Sequence, residues 1–387
     1  MTEQLILLQN AEAIMPSGAT ERKYVQIQNG RIVEISNIRN TGAKIIDLSC
    51  LRLFAGFIDT HNHGAVGVDV NTATAEDLRK VGKFLASQGV TAWLPTLVPD
   101  RDENYARTIG AIDELMETQD EMAAGARVLG VHYEGVFANE KMCGALRPKF
   151  FKEFFRGDEI DYLPKLKSPN AIHLTTLAPE IRGGIDLIKE LKRQNWIVSI
   201  GHTRACLETL NRAFDAGASQ VTHLFNAMTG VHHRDLGVAG WALLNDKVTC
   251  EIIADGVHVA PEMLKFAFRN KTANCLALVS DSVAPTGLGD GTFDLWNEKI
   301  SVTGGKTQNE RGSIAGSVIT MLDAVKMMIS VGIGEQEVSQ MASLTPAKTL
   351  GIEKTYGSIE IGKRADLVAL DEQGNVKLTI VGGKIAD

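Results

Sequence analysis

The sequence predicts an α/β protein: a (β/α)8 TIM-type barrel with a small β-sandwich domain formed by both termini. Three observations carry this expectation. Eight short apolar runs recur through the middle of the chain, each followed by a turn and then by a helix-like stretch. Most of the runs are near-continuously apolar, as strands covered on both faces are. The two ends of the chain instead show short alternating segments around turns. Strand–helix alternation argues for a parallel sheet, and eight units of it argue for a closed barrel. The implied division is 1–53 plus 356–387 for the small β domain and 54–355 for the barrel.

Taken in order, the first segment of note runs from Tyr24 to Ile35, where Asn29 and Gly30 form a strong hairpin signal. The eight barrel strands are expected at Phe54 to Asp59, Val90 to Leu97, Val128 to Glu134 and Ile172 to Ala178, then at Trp196 to His202, Gln220 to Phe225, Thr249 to Asp255 and Cys275 to Asp281. Amphipathic periodicity predicts helices over Thr74 to Gln88, Asp102 to Met122, Ile185 to Gln194, Arg204 to Ala216 and Pro261 to Asn270. A stretch rich in Gly and turn residues, Thr286 to Arg311, reads as a hairpin over the barrel mouth. From about residue 356 the alternating style returns, with Asp366 to Leu370 and Val376 to Val381 as short strands. Chain termini often lie close together, so these can share a sheet with the N-terminal strands.

Composition narrows the function classes. At 387 residues, with 44% hydrophobic and 22% charged residues, the chain is neither disordered nor membrane-spanning. Forty basic against forty-seven acidic residues give a net charge of -7 with no basic block, which argues against nucleic acid. The N-terminal residues Met1 to Leu8 carry an acidic Glu3 where an export signal needs a basic residue. Five scattered cysteines without a C-x-x-C pair exclude a disulfide framework and fit a reducing cytoplasm.

In such a barrel the working residues sit at the C-terminal ends of strands. Six of the nine histidines fall there. The first strand leads into Asp59, His61 and His63; alternate residues of a strand share a face, so the two histidines can converge on one ion. The third strand ends in His132 and Glu134, the fifth in His202, the sixth in His223. The seventh leads to Asp255 and His258, and the eighth ends in Asp281. Any one of these could be a capped structural residue. Four histidines and two carboxylates on five strands of one closed ring instead point to a metal site. With histidine and carboxylate donors and no thiolate, the ion expected is Zn²⁺, with Fe²⁺ or Mn²⁺ as alternatives. Asp281, beside the water that such an ion ionises near neutral pH, is the expected general base and then acid. A P-loop is excluded because Gly357 to Lys363 is followed by Arg364 and by a strand-like segment, and no G-x-S-x-G or H-E-x-x-H pattern occurs.

These motifs resemble the amidohydrolase superfamily and, within it, the N-acetylglucosamine-6-phosphate deacetylases. The similarity runs nearly end to end: Gly56 to Gly64, His132 to Gly135, Leu177 to Glu180, Gly201 to Thr203, Thr222 to Met228, Ile253 to Val259, Ser280 to Gly287 and Gly312 to Ser317. The run Thr222 to Met228 (Thr-His-Leu-Phe-Asn-Ala-Met) is highly specific to that family. The resemblance implies hydrolysis of an N-acetyl amino sugar 6-phosphate, with one or two divalent ions per subunit. Glu134, His202 and His223 would hold one ion; His61, His63 and Asp281 would complete a second, with Glu134 bridging. Asn226 and the backbone of Ala227 would bind the sugar phosphate, with His258 and Arg234 also facing the substrate. Part of that shell would come from a neighbouring subunit, which implies a homodimer. Three positions depart from the family pattern: Leu146 stands where it has His, and Val136 and Leu236 where it has Pro. The family His helps polarise the acetyl carbonyl, so an epimeric substrate such as N-acetylgalactosamine 6-phosphate stays open. A cyclic amidase is disfavoured because the fourth strand, Ile172 to Pro179, has no Lys to bridge two metals. A non-catalytic scaffold is disfavoured because no ligand is missing.

Overall fold

The computed structural model describes residues 5–15, 20–37, 43–120, 125–155, 160 and 163–386. The strands Phe57–Asn62, Val90–Leu97, Gly130–Phe137, Ile172–Leu177, Ile197–Ile200, Gln220–Val221, Thr249–Ile253 and Leu276–Val279 pair in parallel, each with the next. The ring closes at its C-terminal rim, where the Asp281 amide donates to the His61 carbonyl at 2.9 Å and the His63 amide to the Ser282 carbonyl at 2.8 Å. Every residue of the second, third and eighth strands is buried, which is why they read as unbroken apolar runs.

The first run does not form the single strand expected from Phe54 to Asp59. Arg52–Ala55 belongs to the terminal sheet and Phe57–Asn62 to the barrel, with Gly56 between them. Phe54 and Ala55 therefore lie on the small-domain side, beyond the expected limit at residue 53. At Gly56 the two units press together: a Cβ there would stand 2.3 Å from the Thr91 side chain. The fifth and sixth strands are shorter than expected, ending at Ile200 and Val221. The backbone leaves extended geometry there because His202 (φ 47°), His223 (φ 30°) and Phe225 (φ 79°) are left-handed.

Helices cover the barrel at Ala75–Ser87, Asp102–Thr118, Gly184–Arg193, Leu207–Asp215, Gly237–Leu244, Pro261–Lys271 and Met321–Ser330. Two begin with reciprocal caps, Thr74 with Asp77 and Thr320 with Asp323. The expected end of the second helix at Met122 lies outside the described residues. Gly237–Leu244 escapes a periodicity reading because Val238 to Leu243 are all buried, leaving no polar face. The third strand is followed by two single 3₁₀ turns, Glu140–Met142 and Pro148–Phe150, and a helical run through Glu335–Ser339, Gln340–Leu344 and Thr345–Thr349 completes the outer wall.

Both termini build the second unit, an eight-stranded sheet in which Leu367–Leu370 pairs antiparallel with Arg52–Ala55. Ile6–Ile14 bulges between Leu8 and Ala11 and splits its partners, taking Lys44–Asp47 on one half and Arg52–Ala55 on the other. The sheet encloses its own small core, including Leu8, Val25, Ile32, Leu53, Leu367 and Ile380. The expected hairpin beyond the eighth strand is a three-stranded antiparallel sheet, Gly291–Leu295, Glu298–Thr303 and Lys306–Asn309. Its first turn has positive φ at both Trp296 (54°) and Asn297 (62°), the geometry that matches the twist of a hairpin.

Candidate active site

The side chains gathered at the barrel mouth come from the ends of five strands. His61 and His63 leave the first, Glu134 the third, His202 the fifth, His223 the sixth and Asp281 the eighth. All six are buried. They form two donor triads, Glu134 with His202 and His223, and His61 with His63 and Asp281, whose donor atoms lie within 4.8 Å of one another in each. Glu134 Oε1 is 3.0 Å from Nε2 of both His202 and His223, and its Oε2 is 3.2 Å from His63 Nε2. Asp281 Oδ1 stands 3.2 Å from His63 Nε2 and 3.6 Å from His61 Nε2.

Outer hydrogen bonds decide which ring nitrogen faces inward. His63 Nδ1 donates to the Thr96 carbonyl at 3.1 Å, His202 Nδ1 to the Met142 carbonyl at 2.8 Å, and His223 Nδ1 to the Asn226 carbonyl at 3.1 Å. A carbonyl only accepts, so the neutral rings carry their proton on Nδ1 and aim an Nε2 lone pair at the centre. The Nε2 atoms of His202 and His223 are 3.1 Å apart and those of His61 and His63 are 3.2 Å apart. Lone pairs that close repel unless positive charge sits among them. The electrostatics agree. Burial opposes a charged His63, but its bonds to Asp281 and Glu134 prevail and raise it to about 9. Burial likewise opposes ionised Glu134, yet His61, His202 and His223 hold it well below the usual carboxylate range. A site that draws protons onto imidazole in this way fits a divalent cation bound by nitrogen and oxygen.

Backbone strain collects at the same place. His202, His223, Ala227 (φ 49°) and Asp281 (φ 49°) are left-handed non-glycine residues, a conformation costing roughly 1–3 kcal/mol each. Each turn re-aims a side chain from the ring of strands into the mouth.

Two supporting carboxylates, Glu251 and Glu180, were given no role from sequence, and one strand-end histidine, His132, takes a different role from the others. Glu251 lies inside the seventh strand, fully buried, accepts from Thr60 Oγ1 at 2.8 Å and stands 3.4 Å from His61 Nδ1. Glu180 accepts from Asn139 Nδ2 at 2.8 Å and from the Arg204 amide at 2.7 Å, pinning the loop that carries His202. His132 is no donor to the centre: Nδ1 donates to the Thr60 carbonyl at 3.1 Å and Nε2 accepts from Thr176 Oγ1 at 2.8 Å. A carboxylate within an apolar strand is the one sequence signal that could have pointed to Glu251.

A pocket of about 320 Å³ opens over the triads. Asn226, Ala227 and His258 line it opposite Trp296 and Ile314. Leu146 also lines it, 3% exposed and packed so close to Gly135 that a Cβ there would stand 2.2 Å from Leu146 Cδ1. Arg234, expected to face the substrate, is not in the lining. It is exposed in the loop from Val231 to Asp235, where its amide donates to His232 Nδ1 at 3.3 Å.

Comparison with known proteins agrees with this architecture. The amidohydrolase family model matches residues 52–386. The chain is 33% identical over 392 residues to the N-acetylglucosamine-6-phosphate deacetylase of Bacillus subtilis, covering all of this chain and 98% of that protein. It is also 33% identical to the N-acetylgalactosamine-6-phosphate deacetylase of Escherichia coli O157:H7, over 95% of this chain and 97% of that one. The crystal structure of N-acetylglucosamine-6-phosphate deacetylase from Pasteurella multocida superposes with a TM-score of 0.91 at 28% identity, over 99% and 100% of the two chains. A family model spanning most of the chain and relatives matched from end to end lead to one conclusion: this chain belongs to the amidohydrolase family and, within it, to the N-acetylglucosamine-6-phosphate deacetylase family.

Proposed function

We propose that this chain hydrolyses the acetamide of an N-acetyl amino sugar 6-phosphate, with N-acetylglucosamine 6-phosphate as the first substrate, giving the amino sugar 6-phosphate and acetate. The observation that carries this reading is the pair of triads joined by Glu134 beneath a pocket lined by Asn226, Ala227 and His258. The activities named for the relatives supply the substrate class. Glu134, His202 and His223 would hold one divalent ion, and His61, His63 and Asp281 would hold a second, with the Glu134 carboxylate lying between the two triads. All-nitrogen-and-oxygen donors favour zinc, with iron(II) and manganese(II) to be separated by metal analysis. A divalent ion there supplies Lewis acidity, polarising the acetamide carbonyl and making water acidic enough to ionise near pH 7.

The chain's own residues then handle the proton. Asp281 removes it from the attacking water as the C–O bond forms at the carbonyl carbon. It passes the same proton to the sugar nitrogen as the C–N bond breaks, leaving acetate and an amine. Asn226, the Ala227 amide and His258 hold the sugar phosphate. Leu146 offers no proton donor to the pocket, so polarising the carbonyl would be left to a bound ion, and the galactosamine epimer is a second substrate to be tried.

Arg234 suits a phosphate dianion, since a planar guanidinium makes the strong charge-assisted pairs. Its exposed place outside the pocket supports a homodimer in which it reaches the neighbour's site. A cytoplasmic enzyme is the reading supported by five free cysteines; among the described residues no helix is long and apolar enough to cross a membrane. The test is a ratio of kcat/KM for N-acetylglucosamine with and without 6-phosphate, in the unmutated protein and in Arg234→Ala. Arg234→Ala should raise KM for the phosphorylated sugar at least tenfold or so, as losing a charge-assisted pair does, and leave the unphosphorylated sugar unaffected. Equal losses on both, or no preference for phosphate in the unmutated protein, would mean that another amide is the substrate.

A further inference from the structure

A second cavity, of about 370 Å³, lies where the small domain meets the barrel end opposite the mouth. It shares no residue with the catalytic pocket. Its walls are the first helix, the end of the second, Gly125 to Arg127 ahead of the third strand, and the terminal segments around Gly30, Tyr356 and Gly382. Among the described residues six cations line it, Arg31, Arg79, Lys83, Arg127, Arg364 and Lys384, against one acid, Asp120. In a chain whose net charge is -7, that concentration of positive charge runs against composition.

Nearby carboxylates balance only part of it. Arg127 is paired with Asp120, Arg364 with buried Asp366 at 3.1 Å, and Arg79 with Glu76 at 2.9 Å. Among the described residues Arg31, Lys83 and Lys384 have no carboxylate partner. Arg31 Nη1 instead donates to the Gly362 carbonyl at 2.8 Å, and Lys384 Nζ to the Asp120 carbonyl at 2.9 Å. The backbone is cut away to seat a guanidinium. Gly382 has φ +55°, and a Cβ on it would stand 2.3 Å from Arg364 Nη2. Leu78, Val381 and the Tyr356 ring provide an apolar flank for a small carbon body.

We propose that this cavity binds a small phosphate monoester of sugar size, clamped between cations of the two domains. Four of the six cations are arginines, whose planar forks match phosphate oxygens. Among the described residues Arg31, Lys83 and Lys384, none in direct ion-pair contact, surround one open space and suit a dianion. Arg31, Arg364 and Lys384 come from the small domain and Arg79, Lys83 and Arg127 from the barrel. A ligand touching both sets binds only the docked arrangement and so stabilises it.

The probes are inorganic phosphate and ribose 5-phosphate, titrated calorimetrically into metal-loaded protein at constant ionic strength and followed in parallel by Tm. The variants are Lys83→Ala with Lys384→Ala, and separately Arg31→Ala. All three side chains are exposed, so folding should survive, as the ligand-free Tm will report. Ribose 5-phosphate should bind and raise Tm, and the double variant should bind it at least about tenfold more weakly, the loss of charge-assisted contacts. kcat/KM on the acetamido sugar should not change. Absence of binding would overturn the proposal. So would equal affinity in the variants, which would place the phosphate in the catalytic pocket, or a matching Tm rise with chloride alone.

Discussion

In the proposed reaction Asp281 would act from a carboxylate that its surroundings keep ionised. Burial opposes the charge, but His61 and His63 outweigh it and lower its pKa. Its strained backbone is held by bonds on both sides, from its own amide to the His61 carbonyl at 2.9 Å and from the Ser317 amide to its carbonyl at 2.7 Å. Asp281→Asn keeps the shape and removes the base, so kcat should fall by about 10²-fold or more while substrate still binds. A near-normal kcat would place the proton transfer elsewhere. His258 shows a different kind of control. Its Nδ1 lies 2.6 Å from Asp255 Oδ2. Burial opposes its charge, yet the bond to Asp255 raises its pKa above the ordinary 6.5, while Asp255, against its own burial, is lowered below 3.8 by His258. A raised histidine contributes stability that is fully present below pH 6.5 and is lost as pH rises through its folded value. The lowered carboxylate contributes above pH 3.8 and loses its share as pH falls through its own. The Tm difference between the unmutated protein and His258→Ala should therefore be greatest between those two values and shrink in alkali. A difference that stays flat from acid to alkali would show that the ion pair is not its source.

At the scale of elements, the three-stranded sheet at 291–309 is held to the barrel mouth by Trp296. Its ring meets His63 edge-on at 5.4 Å between centroids and packs in a cluster with Leu146, Val283 and Ala315. Trp296→Ala removes a side chain only 8% exposed, a class of change costing about 3–5 kcal/mol where the surroundings cannot collapse. We expect limited proteolysis to cut between Gly291 and Asn309 first in this variant, with weaker metal retention as His63 loses its lateral support. Unchanged cleavage would mean that Leu295 and Ile300 hold the sheet alone. The elements most legible in the sequence were those with one clear environment. Val90–Leu97 is buried on both faces and Ala75–Ser87 has one wet face and a Thr74 cap. Gly237–Leu244 gave no signal because it is covered nearly all round.

For the whole molecule the proposed metal centre would act as a clasp, because the candidate donors leave five strands of one ring. Four inward lone pairs and two carboxylates repel one another without a cation, so an ion that binds only the folded ring stabilises it by linkage. The gain is about 2.7 kcal/mol at a free concentration a hundred times Kd. Chelation should lower Tm and added Zn²⁺ should restore it, while His202→Ala should lose both the metal-dependent rise and the activity. If Tm is unchanged by metal, the donors do not bind an ion in the folded protein.

Legible from the chain alone were the strand–helix alternation, the return of the C-terminus to the N-terminal sheet, and the strand-end positions of His61, His63, Glu134, His202, His223 and Asp281, which the structure gathers at one mouth. These are legible because apolar runs, turn residues and strand-end positions are local properties of the chain. What depends on residues distant in sequence was settled by folding. It set the break at Gly56, where Thr91 leaves no room for a side chain, and the inward Nε2 of His63 and His202, chosen by the distant carbonyls of Thr96 and Met142. It also placed Glu251 behind His61 across 190 residues of chain, and left Arg234 outside the lining of the pocket. Ring closure brings strand ends together whatever their separation in sequence, so partners across the mouth have no spacing from which to be read.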